Sequence, residues 1–442
     1  MNIKLSDHFT YKKLLRFTLP SICMMIFTSL YSVVDGYFVS NFAGKSAFTA
    51  VNFIMPFLMI LGTFGFMFGT GGSALISKTL GEGKQKKANS LFSLIVYTSA
   101  IAGVILAVFG IIFVRPIAVA LGAEGEMLEN CVIYGRIILA VLPAYMLQFE
   151  FQSFFVTAEK PNLGLAVTIA SGLSNIVLDA LLVAVFNLGL VGAAMATAIS
   201  QCVGGIIPLI YFARRKGDTL KLGRAEYDGK ALIKTCTNGS SELMSNISVS
   251  IVSMLYNMQL MKYAGENGVA AYGVLMYVNF IFLAIFVGYS VGTAPVIGYN
   301  YGADNHAEQK NLMKKGLTIV AVCSVLMFIA SELLAKPLSV MFVGYDKELM
   351  NLALRGFVIY SFSFLFAGFA VFASSVFTAL NNGLISAAIS FLRTLVFQVA
   401  AVMIFPLLLG IDGIWASISA AELTAAVVAG VLLIKYRKRY HY

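Results

Sequence analysis

Charge is what this sequence has least of. Asp, Glu, Lys and Arg make up 12% of its 442 residues, 59% are hydrophobic, and the mean hydropathy is +0.86. A soluble domain carries about 25% charged residues, so this chain cannot dress a water-facing surface. A soluble globular enzyme, a disordered chain and a small disulfide scaffold are excluded, which leaves a polytopic membrane protein. Cysteine and histidine are scarce as well. Cys23, Cys131, Cys202, Cys236 and Cys323 are odd in number, stand singly without a CxxC pair, and read as small buried hydrophobes rather than disulfides or metal ligands. His8, His306 and His441 lie near the termini and in a polar loop, which excludes an intramembrane histidine metal site or proton relay. No HExxH or other catalytic cluster is present, so a membrane enzyme is not expected.

What the chain does have is long apolar runs. A transmembrane helix needs roughly 20 such residues. Twelve runs qualify, at about 14–40, 47–77, 88–114, 127–155, 161–187, 190–213, 231–262, 268–300, 312–335, 348–378, 383–409 and 412–435. Lys4, Lys12, Lys13 and Arg16 precede the first run without a small-residue cleavage site, so that run is expected to be a retained span behind a short amphipathic lead. Of the 31 Lys and Arg, twenty-three fall on the side carrying both termini, five on the other, and Arg136, Arg355 and Arg393 lie within runs. This asymmetry predicts both termini in the cytoplasm. It also accounts for the net charge of +10 without nucleic acid.

The second half of the chain repeats the first at an offset of 221. Gly44 pairs with Gly265, Gly71 with Gly292, Ile76 with Ile297, Gly81 with Gly302, Pro116 with Pro337, Gly135 with Gly356, Gly189 with Gly410 and Gly192 with Gly413. The expected fold class is therefore all-α and polytopic, with twelve transmembrane helices in two pseudo-symmetric six-helix bundles. The bundles would be residues 1–213 and 231–442, joined by a cytoplasmic linker at 214–230. Each has an even number of spans, so both enter the membrane in the same sense around an axis along its normal, a frame suited to rocking-bundle alternating access.

An ionisable group at membrane depth is a functional candidate by default. Asp35 lies six positions before an expected outer loop near Asn41, about 9 Å deep, and Asp179 lies about 12 Å deep, eight before Asn187. Thr197 has a similar depth, and Asn175 shares a helix face with Asp179. Two carboxylates, an amide and a hydroxyl suit a shared proton or, with the same four residues as ligands, Na⁺. Burial and like-charge repulsion would let one carboxyl take up and return a proton. The plainer alternative is polar residues in a wet crevice, with Asn175 and Thr197 holding helices together. Glu242 reads as about one turn into the seventh span, snorkelling or touching a gate. Glu422 repeats Gln201 and suggests matching interhelical hydrogen bonds, while Glu150 and Glu332 are expected to be hydrated near span ends. Arg136, Arg355 and Arg393 could pair with acids or reach headgroups. Pro20 removes a backbone donor from the first span, giving a static bend or a hinge. The stretch Gly69–Ser77 lacks the GK[ST] ending of a phosphate loop and reads as helix packing.

Several segments resemble the multidrug and toxic compound extrusion (MATE) transporters along the whole chain. They are LPSICMMIFTSLYSVVDGYFVSNFAG (Leu19–Gly44), the GxxxxA loop Gly83–Ala88, its echo PVIGYNYGA (Pro295–Ala303), and SNIVLDA (Ser174–Ala180) followed by GLVGAAMATAISQ (Gly189–Gln201). The resemblance implies cation or proton binding at Asp35, Asn175, Asp179 and Thr197, and first-helix bending at Pro20. The family's other branch uses acids in the seventh and tenth spans. Here the tenth has none at its middle, and Glu242 sits near its helix start. The implied activity is export of small organic cations from the cytoplasm across the plasma membrane in exchange for H⁺ or Na⁺, without a cofactor and as a monomer. A lipid-linked oligosaccharide flippase of the same superfamily is the alternative, but it would need basic residues facing the cavity. An ion channel is disfavoured by the duplicated bundles.

Overall fold

A computed structural model describes residues 3–43, 45–214, 219–344 and 346–442, and among them there is no strand. Gly44 of the repeat and Arg215 and Lys216 of the linker lie outside the described residues. In lipid only a helix satisfies its own backbone polar groups, and the apolar runs take that form. The helices are α1 (Tyr11–Phe38), α2 (Lys45–Gly81), α3 (Gln85–Leu121), α4 (Gly125–Ala140), α5 (Leu142–Thr157), α6 (Pro161–Asp179) and α7 (Gly189–Arg214). They are followed by α8 (Gly229–Gly302), α9 (His306–Val343), α10 (Lys347–Ser361), α11 (Phe364–Ala379), α12 (Gly383–Phe391), α13 (Phe397–Leu409) and α14 (Ile411–Tyr440).

Among the described residues nine stretches are long and apolar enough to cross a membrane, and two bent pairs, α4 with α5 at 58° and α10 with α11 at 49°, bring the number to eleven. The 74-residue α8 would extend about 110 Å as one rod, far beyond a bilayer. It breaks at Gly265, where φ 61° and ψ −151° are open only to a residue without a Cβ, and so supplies two spans. The total is the expected twelve. The repeat also governs the bends. They fall at Val141 and Phe362, which are 221 residues apart, although only the first is followed by a proline, Pro143.

Each half has a main core, although Leu14, Phe17 and Met24 of α1 join that of the second half. Phe92, Phe151, Phe154, Phe155 and Phe212 stack in the first, and Tyr256, Phe357, Phe372, Phe377 and Trp415 fill the second. The amphipathic lead crosses over: Leu5 and Phe9 are buried in the second half's core. Leu5 N donates to Glu159 Oε1 at 2.7 Å, and Phe9 N donates to Glu308 Oε1 at 2.9 Å, so one short segment is tied to both halves.

The halves meet closely on the side that carries the linker. A Cβ on Gly81 would collide with the carbonyl of Tyr299, and one on Gly302 with the carbonyl of Lys78. Lys78 and Tyr299 are themselves 221 apart, so these are two copies of one contact across the pseudo-twofold axis. Ser77 faces Gly298, its own equivalent, on that axis. Asn381 Nδ2 adds a hydrogen bond to the Ala74 carbonyl at 3.0 Å.

Candidate functional site

The first half brings Asp35, Asn175, Asp179 and Thr197 together. Asp35 comes from α1, Asn175 and Asp179 from one face of α6, and Thr197 from α7. Thr197 Oγ1 donates to Asp35 Oδ1 at 3.4 Å, and Asp179 and Asn175 flank the same carboxylate. Asp35 is 8% exposed, Asp179 0% and Asn175 1%. Both oxygens of Asp179 and both amide atoms of Asn175 meet no partner with full hydrogen-bond geometry. No Lys, Arg or His side chain pairs with either acid among the described residues. Adjacent buried carboxylates without a base require a shared proton or a bound cation, and the orphaned oxygens offer an all-oxygen donor set that suits a hard ion.

The backbone around the site departs from a plain helix. After Asp179 the chain widens into a π-type turn at Ala180–Val185, and after Asp35 another spans Val39–Ala43, where a loop near Asn41 was expected. Such turns re-aim side chains and are common at functional sites. Three further residues complete the surroundings. The Tyr134 hydroxyl lies beside Thr197, Tyr31 beside Gln148, and Gln148 Nε2 donates to Ser171 Oγ at 3.3 Å. The four-residue step from Tyr31 to Asp35 could have revealed Tyr31, since it places both on one helix face. Tyr134 comes from α4 and carries no local signal.

Pro20 sits inside α1, and the backbone just after it, at Ser21 and Ile22, packs against Gly288 of α8. Other expectations need correction. Glu242 does not snorkel. α8 begins at Gly229, so thirteen residues, about 20 Å at the helical rise, lie beneath it. Glu150 is wholly buried, beside Ser99, rather than open to solvent near a span end. Glu422 does not match Gln201 in a neutral hydrogen bond. Arg393 Nε donates to Glu422 Oε2 at 2.8 Å, the two side chains being 12% and 5% exposed, whereas Gln201 Oε1 has no partner. Arg355 pairs with Asp412, Glu332 accepts from Ser361, and Arg136 is exposed.

Glu242, Arg393 and Glu422 line a cavity of about 330 Å³, together with Asn246, Asn279 and Gln398. Phe66, Thr70, Ser73 and Ser153 of the first half close one side of it. Arg393 stands within a third π-type turn, Leu392–Val396, so each half places a widened turn at its own intramembrane charge.

A family model described as MatE matches this chain twice, at residues 20–181 and 243–404, once in each half. The chain is similar to the Multidrug export protein MepA of Staphylococcus saprophyticus, at 26% identity over 436 residues, covering 97% of this chain and 94% of that protein. It is also similar to the Multidrug export protein MepA of Staphylococcus aureus strain MRSA252, at 24% identity, covering 97% of this chain and 94% of that protein. Among solved structures, one described as the outward-facing conformation of a multidrug resistance MATE family transporter superposes with a TM-score of 0.92 at 22% identity, covering 98% of this chain and 97% of that one. A crystal structure of MATE in complex with MaL6 gives a TM-score of 0.93 at 22% identity, covering 98% of each chain. These two likenesses show the fold.

Proposed function

This chain belongs to the MatE family of membrane transporters, and on that premise we propose that it is a multidrug antiporter that exports organic cations in exchange for H⁺ or Na⁺. The observation that carries this reading is the pair of buried acids, Asp35 and Asp179, with orphaned polar atoms and no base beside them. Such a site holds its ion in one state of the protein and must release it in another. The names of the similar Staphylococcus proteins, multidrug export proteins, point the same way. The family's proteins are transporters, not enzymes, and this one is a multi-pass membrane protein.

The bundles 1–213 and 231–442 would rock about the linker 214–230, with the protein working as a monomer in the plasma membrane. With both termini in the cytoplasm, the closed side seen here is cytoplasmic. An ion entering from outside would bind at Asp35, Asp179, Asn175 and Thr197, and its release to the inside would accompany recruitment of the next cation. Two main cores centred on different halves, and backbone contacts between them at glycines such as Gly81 and Gly302, support rigid-body motion. The flippase alternative is not favoured. A pyrophosphate would need free basic groups, and among the described residues the one strong base lining the cavity, Arg393, is paired with Glu422.

The test is transport of a fluorescent cation in everted vesicles under separately imposed pH and Na⁺ gradients. One of the two gradients is expected to drive accumulation, and Asp35→Asn is expected to abolish it. Full gradient-driven accumulation by Asp35→Asn would refute the coupling role.

A further inference from the structure

The second-half cavity contains an unused charge balance. Of its lining residues only Glu242, Arg393 and Glu422 are acids or strong bases. Arg393 and Glu422 neutralise each other at 2.8 Å in near-complete burial. The Glu242 carboxylate makes no hydrogen bond or ion pair among the described residues, and its nearest countercharge is Arg393 across the cavity. With the pair intact and Glu242 ionised, the cavity carries one net negative charge. The walls around it are apolar and aromatic, including Phe66, Tyr272, Met276 and Phe280, surfaces that accept an organic cation by stacking and cation–π contact. A volume of about 330 Å³ is that of a small-molecule site.

We infer that this cavity is a substrate site selective for organic monocations, with Glu242 as the counter-charge and Arg393 as the element that rejects dications. This rests on the reading of the protein as a cation exporter and narrows its substrate class. The second positive charge of a dication would find no free acid in the cavity and would meet the guanidinium instead, in a low-dielectric space where like-charge contact is poorly screened. Specificity of this kind comes from a built-in repulsion as much as from attraction. The Glu422 carboxylate cannot serve as the missing acid, because releasing it would strand a buried Arg393.

The probes are ethidium and propidium, a monocation and a dication on one aromatic scaffold. Their equilibrium binding to the purified full-length protein is read by fluorescence, without a gradient. Wild type is expected to bind ethidium about tenfold or more tightly than propidium, a difference of about 1.4 kcal/mol. Glu242→Gln is expected to weaken ethidium about tenfold. Arg393→Gln, which leaves two net negative charges, should shift the ratio at least about tenfold toward propidium, and Arg393→Gln with Glu422→Gln, which returns the net charge to one negative but not the guanidinium, should recover part of that shift. Should Arg393→Gln not fold, Asn246→Asp adds an acid to the lining with the ion pair intact and is expected to shift the ratio the same way. An unchanged ratio in both Arg393→Gln and Asn246→Asp, or no recovery in the double variant, overturns the inference. Because binding is measured without transport, failure of export in vesicles would reject the antiporter reading separately.

Discussion

Displaced by 221 residues, the ion-site positions of the first half lose every polar group but one: Asp35 becomes Tyr256, Asn175 becomes Val396, Asp179 becomes Ala400 and Thr197 becomes Ile418. In the other direction Glu422 becomes Gln201, Glu242 becomes Ser21 and Arg393 becomes Gly172. The first half has no room for that arginine, since even a Cβ on Gly172 would collide with Phe27. The two halves therefore share hinges, bends and contact glycines while differing wherever charge is buried. Duplication kept the backbone and let the chemistry diverge. An acid buried beside a base contributes to a stable arrangement, whereas acids buried without one persist at a cost of several kcal/mol. On the antiport reading proposed above, the two adjacent unpaired acids make the first half the place where the coupling ion comes and goes.

The strongest test of this division is to neutralise each half in turn. Asp179→Asn should reduce gradient-driven accumulation in vesicles to the level of empty membranes. Arg393→Met with Glu422→Leu should leave uphill transport of a monocation within a few-fold of wild type. Loss of coupling in the second variant, or its survival in the first, would break the comparison. Stability should respond in the opposite order. Arg393→Met alone strands Glu422 and is expected to cost about 3–5 kcal/mol, read as a lowered midpoint of thermal unfolding in detergent. Asp179→Asn removes a carboxylate with no partner and should leave that midpoint unchanged or raise it by about 1–3 kcal/mol of stability.

Most of the architecture was legible in the residues because lipid imposes simple rules on it. Span length gave the twelve helices, and glycine spacing gave the duplication, down to the paired positive-φ glycines Gly189 and Gly410. Asp35, Asp179 and Thr197 could be grouped from their similar depth, and Asn175 from the helix face it shares with Asp179. What the sequence hid depends on contacts between remote elements. The depth of Glu242 was not hidden in this way, since the acid lies eleven residues into the run 231–262; α8 starts at Gly229, with Asp228 accepting from Ala231 N as its cap, and keeps it deep rather than superficial. The Arg393–Glu422 pair joins residues 29 apart on different spans. Nothing in the lead announces that Leu5 and Phe9 will reach the second half's core.

A smaller effect is expected at the contact between the halves. Gly81→Ala and Gly302→Ala each insert a methyl group against a carbonyl of the opposite half, overpacking that costs about 1–3 kcal/mol. Since the cost applies only while the linker side is closed, both substitutions should populate the opposite conformation. The two contacts are copies of each other, so the shifts should be equal, measured by thiol labelling of a cysteine placed at Ala74. Unequal shifts would show that the axis relates the backbones but not their energetics.

The smallest effect concerns the helix starts. Asn305 caps α9 by accepting from Glu308 N at 3.1 Å, while its equivalent Lys84, at the start of α3, makes no side-chain cap. A capping side chain satisfies one of the backbone donors left open at a helix start and contributes about 1 kcal/mol. Lys84→Asn should therefore stabilise the first half by up to about 1 kcal/mol, and Asn305→Lys should destabilise the second by a similar amount. Lys84 also pairs with Glu82 at 2.8 Å, but both groups are solvent-accessible, and such pairs contribute at most about 1 kcal/mol. Opposite displacements of the unfolding midpoint would show that the halves are interchangeable at their helix ends. They would then differ in kind only where charge enters the membrane.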